Sequence, residues 1–174
     1  RKELAVEIRD RIMRVVSKNG GHFGSNFGVV ELTIALHTVF NSPHDQILFD
    51  TSHQCYPHKL LTGRHKSFDS LRTYEGISGF CHKGESPHDI AFAGHAGTIA
   101  SLALGCAAGT DLNEDGRYVV GVVGDSSIVT GMSFEALNHA GHIRKKYLLI
   151  LNDNDMAISY PVGGFHRYLD TVRT

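Results

Sequence analysis

Cysteine is scarce in this chain of 174 residues: Cys55, Cys81 and Cys106 are odd in number, widely spaced and without a C-x-x-C pair. That excludes a disulfide framework and gives no zinc-ligand spacing, so a reducing, cytoplasmic setting fits best. Charge of one sign is also missing. Seventeen Lys and Arg against eighteen Asp and Glu leave a net charge of −1 and a pI near 6.9, which argues for neither nucleic acid nor membrane as partner. No apolar run approaches the roughly 18 to 20 residues of a membrane span, and the N-terminus is a charged amphipathic segment rather than a signal peptide. Low-complexity tracts, internal repeats and domain linkers are absent as well, so residues 1–174 read as one domain with a sizeable core. An initiator Met is lacking, and the chain is therefore expected to be processed, trimmed or partial.

What the chain does have is a pair of polar clusters, each ending an apolar run. Gly124-Asp125-Ser126 follows Tyr118 to Val123, and Asn152-Asp153-Asn154 follows Tyr147 to Leu151. Short apolar runs that stop at Gly or Asn/Asp read as buried strands. Between them, Ser127 to Ala140 reads as the crossover helix of a βαβ unit, with Gly141 as its stop. Asp125 and Asn154 would then share the carboxyl edge of a parallel sheet, where open α/β sheets bind ligands. A carboxylate and an amide oxygen beside a helix N-terminus suit Mg²⁺ with a diphosphate. The same residues also suit simple capping and turning of the chain after its strands.

The remaining pattern supplies more strands and helices. Leu4, Ile8, Ile12, Val15 and Val16 mark residues 3 to 18 as an amphipathic helix ended by Asn19-Gly20-Gly21. Val29 to Phe40 reads as an apolar helix, Ile47 to Asp50 as a strand, Pro57 to Leu61 as a helix ended by Gly63, Asp89 to Ala93 as a strand, and Thr98 to Gly109 as a buried helix. A short final helix is expected from Gly163 to Val172, and Phe68 to Ser86 has no clear assignment. Four strands alternating with helices predict an α/β fold, a parallel sheet with helices on both faces. The turn Asp111-Leu112-Asn113-Glu114-Asp115-Gly116 resembles the start of a calcium loop, but Val122 stands where such a loop needs its glutamate. Histidine is abundant at twelve, mostly in helical or loop positions that suit surface or packing roles. His22, His53 and His95 differ, each lying in a Gly- or Ser-containing junction.

The four strand ends carry Ser52-His53, Gly94-His95, Gly124-Asp125 and Asn152-Asp153-Asn154. With Gly20-Gly21-His22, Gly28-Val29-Val30-Glu31-Leu32-Thr33, Tyr56-Pro57-His58-Lys59, Gly131-Met132 and Asn138-His139-Ala140-Gly141, they resemble the transketolase group of thiamine-diphosphate enzymes, and most closely the 1-deoxy-D-xylulose-5-phosphate synthases. The resemblance runs from about Glu7 to Leu169. It implies the thiamine-diphosphate-binding fold, diphosphate domain, and the cofactors thiamine diphosphate and Mg²⁺. Asp125, the side chain of Asn154 and the Met156 carbonyl would bind the metal. Ser126, Ser127 and the Gly94-His95-Ala96 turn would contact the diphosphate. His22 and His53 would face the reacting carbons; without the resemblance, each could as well pin its own loop. His53 and Asn154 would also touch the cofactor. The implied reaction condenses pyruvate with glyceraldehyde 3-phosphate with loss of carbon dioxide, serving isoprenoid and thiamine precursor synthesis.

Three departures fall at the implied cofactor site. Ser126 stands where the family has Gly-Asp-Gly, Gly94-His95-Ala96-Gly97 where it has Gly-His-Ser-Ser, and Asp50-Thr51-Ser52-His53-Gln54 where it has Asp-Val-Gly-His-Gln. The family's pyrimidine-binding and C-terminal domains have no room in this sequence, so the missing half is expected in cis or in trans, within a homodimer in the complete enzyme. The alternatives are a split transketolase-like subunit and a non-catalytic paralogue that has lost the cofactor. Either way the chain alone is expected to turn over little or nothing.

Overall fold

Apolar spacing organises the chain into helices that cover both faces of a small parallel sheet. The computed structural model describes residues 1–154 and 162–173. The metal-ligand assignment to Met156 lies outside the described residues. In order, the chain forms α1 (Lys2–Asn19), α2 (Phe23–Phe27), α3 (Val30–Val39), β1 (Gln46–Phe49), α4 (Tyr56–Lys59), α5 (Ile99–Asn113), β2 (Val119–Gly124), α6 (Asp125–Ile128), α7 (Gly131–Ile143), β3 (Leu148–Asn152) and α8 (Gly164–Arg173). A wide turn at Leu60–Arg64 and a 3₁₀ turn at Phe68–Ser70 link α4 to the long connector before α5.

The sheet has order β1-β2-β3, and both pairings are parallel. Side chains alternate across it as strand geometry requires. Ile47, Phe49, Val120 and Val122 pack with Ile8, Ile12, Val15 and Val30, joining β1 and β2 to α1 and α3. Leu48 and Val119 point the other way, onto Ile99, Ala103 and Ala107 of α5. Gly121 permits that close approach, since a Cβ there would lie 3.0 Å from Ile99 Cγ2 and 3.4 Å from the Ala103 Cβ. The expected α/β layering, with helices on both faces, is borne out.

Three local expectations need correction. Asp89 to Ala93 is not a strand: Ile90, Ala91 and Ala93 pack beside β1 and α5, but Phe92 is exposed and Asp89 is held through its carboxylate, by the Arg64 side chain and the His82 N–H, rather than by a ladder. Among the described residues the sheet therefore has three strands, not four. The crossover helix is also two helices. Val129 and Thr130 are poor helix formers; Thr130 is extended at φ −77° and ψ 153°, and its Oγ1 donates to the Ser127 carbonyl at 2.9 Å. Gly141 is internal to α7, which stops at left-handed Arg144 instead. Finally, α5 runs on through Asp111 to Asn113, past its expected end at Gly109. Asp111 is spent on Lys145 at 2.9 Å and Asp115 on Arg117 at 2.6 Å.

Candidate functional site

The carboxyl edge of the sheet begins with Asp50, directly after β1. Its Oδ2 accepts the Gly97 N–H and its Oδ1 the Ile99 N–H, each at 3.0 Å. One buried carboxylate thus satisfies a donor at the start of α5 and anchors the Gly94 to Gly97 turn to β1. Thr51 and Ser52 follow in the left-handed region, at φ 56° and 63°, which turns the chain sharply and delivers His53 to the edge. The buried Ser52 Oγ accepts the Cys81 N–H at 3.0 Å and steadies that turn.

His53 meets His22 there, the rings 5.2 Å apart and steeply inclined at 68°, with the Phe80 ring 6.3 Å from that of His22. Burial and the Arg72 charge push His22 below the ordinary imidazole range. Burial and the neighbouring His22 do the same to His53, against the opposing pull of Asp50. Both rings are therefore neutral near pH 7, each able to donate from one nitrogen and accept at the other. The Nδ1 of His53 is buried without a partner.

Strand register then brings the second and third ends together. Gly124 lies opposite Asn152, which sets Asp125 beside Asp153 and Asn154. Asp125 is 3 % exposed, and its Oδ2 has no hydrogen-bond partner. Burial raises its carboxyl above the usual range, helped by Asp153 and opposed by the Ser126 N–H. Asp125, Ser126, Ser127 and Asn154 line a cavity of about 70 Å³ with Asp50 and His53. Ser126, Ser127 and Asn154 also line an adjoining cleft of about 590 Å³ with His22, His53, Gly94 and Ala96. Eight of the nine described residues named from the sequence therefore share one site. His95 stands apart: its ring is exposed, bonded through Nδ1 to the Ala96 carbonyl at 2.9 Å, and lines a separate cavity of about 450 Å³.

An orphaned, buried carboxylate oxygen is costly unless something occupies it. Hard oxygen donors beside open backbone suit a small divalent cation and the oxyanions it carries. Neither Gly94 nor Gly124 has any atom within 4 Å of where a Cβ would sit, so both turns are open to a ligand. The family profile described as 1-deoxy-D-xylulose-5-phosphate synthase matches residues 1–174.

This chain belongs to the 1-deoxy-D-xylulose-5-phosphate synthase family.

Among curated proteins it is similar to the 1-deoxy-D-xylulose-5-phosphate synthase of Rhodobacter capsulatus, 54% identical over 169 residues, covering 97% of this chain and 26% of that protein. It is similar also to that of Desulfitobacterium hafniense, 53% identical over 173 residues and covering 99% and 27%. The Carboxydothermus hydrogenoformans synthase is 52% identical over 171 residues, covering 98% and 28%. The chain thus spans about a quarter of the length of the curated relatives it matches.

Outside the cleft lining this member of the synthase family has a buried charge network that sequence reasoning missed. Asp89 takes Arg64 in a fork, Nη1 to Oδ2 at 2.6 Å and Nη2 to Oδ1 at 2.9 Å. His58, wholly buried, donates from Nε2 to Asp89 Oδ1 at 3.1 Å; its Nδ1 is then the acceptor for His37 Nε2–H at 2.9 Å. Burial would raise Asp89, but bonds from His58, Arg64 and the His82 N–H prevail and hold it far below the usual carboxylate range. Lys59, also wholly buried, pairs with Glu85 at 2.6 Å. Cys81, His58 and Asp89 present donor atoms within 4.8 Å of one another, yet Arg64 and Lys59 already compensate the charge and would repel a cation. Tyr56-Pro57-His58-Lys59 carried no sign of this role, because its acidic partners lie 26 to 31 positions later, Glu85 in a connector without assignment and Asp89 in a segment read as a strand.

Proposed function

We propose that the chain is the diphosphate- and magnesium-binding domain of a 1-deoxy-D-xylulose-5-phosphate synthase, which joins pyruvate to glyceraldehyde 3-phosphate with loss of carbon dioxide. The observation that carries this reading is Asp125: a carboxylate 3 % exposed, with one oxygen unpartnered, facing a polar cavity that Asn154 shares. Asp125 and Asn154 would hold Mg²⁺, with the Met156 carbonyl as a further ligand. The open turns at Gly94-His95-Ala96 and at Ser126-Ser127 would receive the diphosphate oxygens. Thiamine diphosphate, when bound, supplies the carbanion chemistry of the reaction.

The chain's own contribution is to bind, orient and donate. Neutral His22 and His53 would each offer one N–H to the pyruvate carboxylate or to charge developing on a substrate oxygen. A pyrimidine-binding domain, in cis or in trans, would complete the site, and a cytoplasmic homodimer is the proposed assembly. Calorimetric titration of thiamine diphosphate, with Mg²⁺ and then with chelator, tests the reading in this chain and in a longer protein containing it. Binding that requires both Mg²⁺ and Asp125 supports it; binding indifferent to Asp125→Ala overturns it.

A second reading, a non-catalytic paralogue, is favoured by Gly97. That residue sits at φ +84°, and a Cβ there would overlap Thr130 Oγ1, so the turn is built without the family's serine. Absence of binding in the longer protein, unrelieved by Ser126→Gly, would favour this reading.

A further inference from the structure

Asn26 belongs to the five-residue helix α2 and is fully buried. Its side-chain amide reaches three backbone groups. Nδ2 donates to the His22 carbonyl at 2.7 Å and to the His53 carbonyl at 2.9 Å, while Oδ1 accepts the Tyr56 N–H at 2.9 Å. Both amide hydrogens are thereby used, one on each histidine's own backbone. The amide group is planar, and its two N–H bonds diverge at a set angle. Two carbonyls that bond to it are held at a set separation, and the rings attached to those residues meet 5.2 Å apart.

We propose that Asn26 is a positioning residue that sets His22 and His53 relative to each other by tying both backbones to one amide. This rests on the reading above, in which the two histidines face the reacting groups. His22 precedes α2, and His53 follows the left-handed turn after β1, so their segments come from different parts of the fold. No shared secondary structure holds them in register. Asn26 is fully buried and its bonds to the two carbonyls are partly buried, so water replaces a lost amide hydrogen only in part. Aspartate has the same outline and keeps an acceptor for Tyr56, but it repels both carbonyls when ionised and offers a hydrogen to only one of them when protonated.

The test uses the full-length synthase that contains this chain, as Asn26→Asp, His22→Ala, His53→Ala and the two double variants. Steady-state kcat and KM for both substrates are measured alongside the thermal midpoint. A misplacement of about 1 Å is enough to cost up to roughly 100-fold in rate. Asn26→Asp is therefore expected to lower kcat about 10- to 100-fold with KM nearly unchanged. In either alanine background the same change is expected to cost only a few-fold, because residues acting through one another do not add. In the cofactor-free protein, the ring-proton resonances of His22 and His53, assigned with the alanine variants, are expected to move. Should Asn26→Asp fail to fold, Asn26→Ser takes its place, since one short hydroxyl donates to at most one of the two carbonyls. Equal losses in all three backgrounds, or unchanged kcat, overturn the positioning role while leaving the histidines' role intact. Histidine variants with undiminished kcat overturn the functional reading and this inference together.

Discussion

Arg64 and Asp89 form a two-pronged ion pair, 2.6 and 2.9 Å long, inside the protein. Asp89 is 1 % exposed and Arg64 6 %. A buried pair of this kind contributes modestly as a whole, but breaking one side leaves the other charge stranded in low dielectric.

Asp89→Asn is accordingly expected to destabilise the protein by on the order of 3–5 kcal/mol, because Arg64 and Lys59 lose their shared counter-charge. Asp69→Asn, which breaks the exposed pair with Arg11 at 2.8 Å, is expected to change little. Urea unfolding of both variants checks the contrast; equal midpoints would show that Asp89 carries no such burden.

Acid should weaken the fold early. Burial, aided by His58 and His88, lowers His37 from 6.5 to about 4. A histidine depressed in the folded state binds its proton more readily when unfolded, so stability is full above pH 6.5 and is lost as the pH falls toward 4. His22, His53, His58 and His88 are shifted in the same direction by burial, while the depressed Asp89 acts at lower pH. Unfolding midpoints between pH 7 and pH 4.5 are expected to fall, and His37→Gln to flatten part of the slope. A midpoint rising on acidification would contradict this account.

Asp125→Asn is expected to stabilise the metal-free protein while destroying its response to Mg²⁺. Replacing a buried carboxylate by a neutral amide of the same outline removes the cost of burying its charge, and each roughly 1 kcal/mol so relieved is worth about 2–4 °C in the melting midpoint of a domain of this size. Melting curves with and without Mg²⁺ and thiamine diphosphate provide the check. A variant that melts lower without metal, yet still gains from Mg²⁺, would remove Asp125 from the proposed metal site.

Gly97→Ser is expected to lower stability by about 1–3 kcal/mol, because it combines a left-handed backbone with overlap at Thr130 Oγ1. Adding Thr130→Gly should return the part due to overlap and leave the part due to φ. Equal stability of the single and double variants would mean that Thr130 is not the obstacle.

Much of this was legible in the chain itself. The apolar positions of α1 follow helical spacing and three polar junctions follow runs that form strands, so the layering and the gathering of His53, Asp125 and Asn154 at one edge could be read directly, whereas Gly94 reaches that edge from a segment misread as a strand. Local patterning of that kind reports which face of an element is buried. It does not report where a carbonyl thirty positions away will find its donor. Only the tertiary structure decided that Asp89 belongs to a charge network instead of a strand, that Asp50 caps α5, and that the crossover helix breaks at Thr130. The same holds for Asn26, whose amide carries no periodic signal. Its significance depends on distances between segments that only packing brings together, because hydrogen bonds in a dry interior are satisfied by whichever groups the fold places within reach.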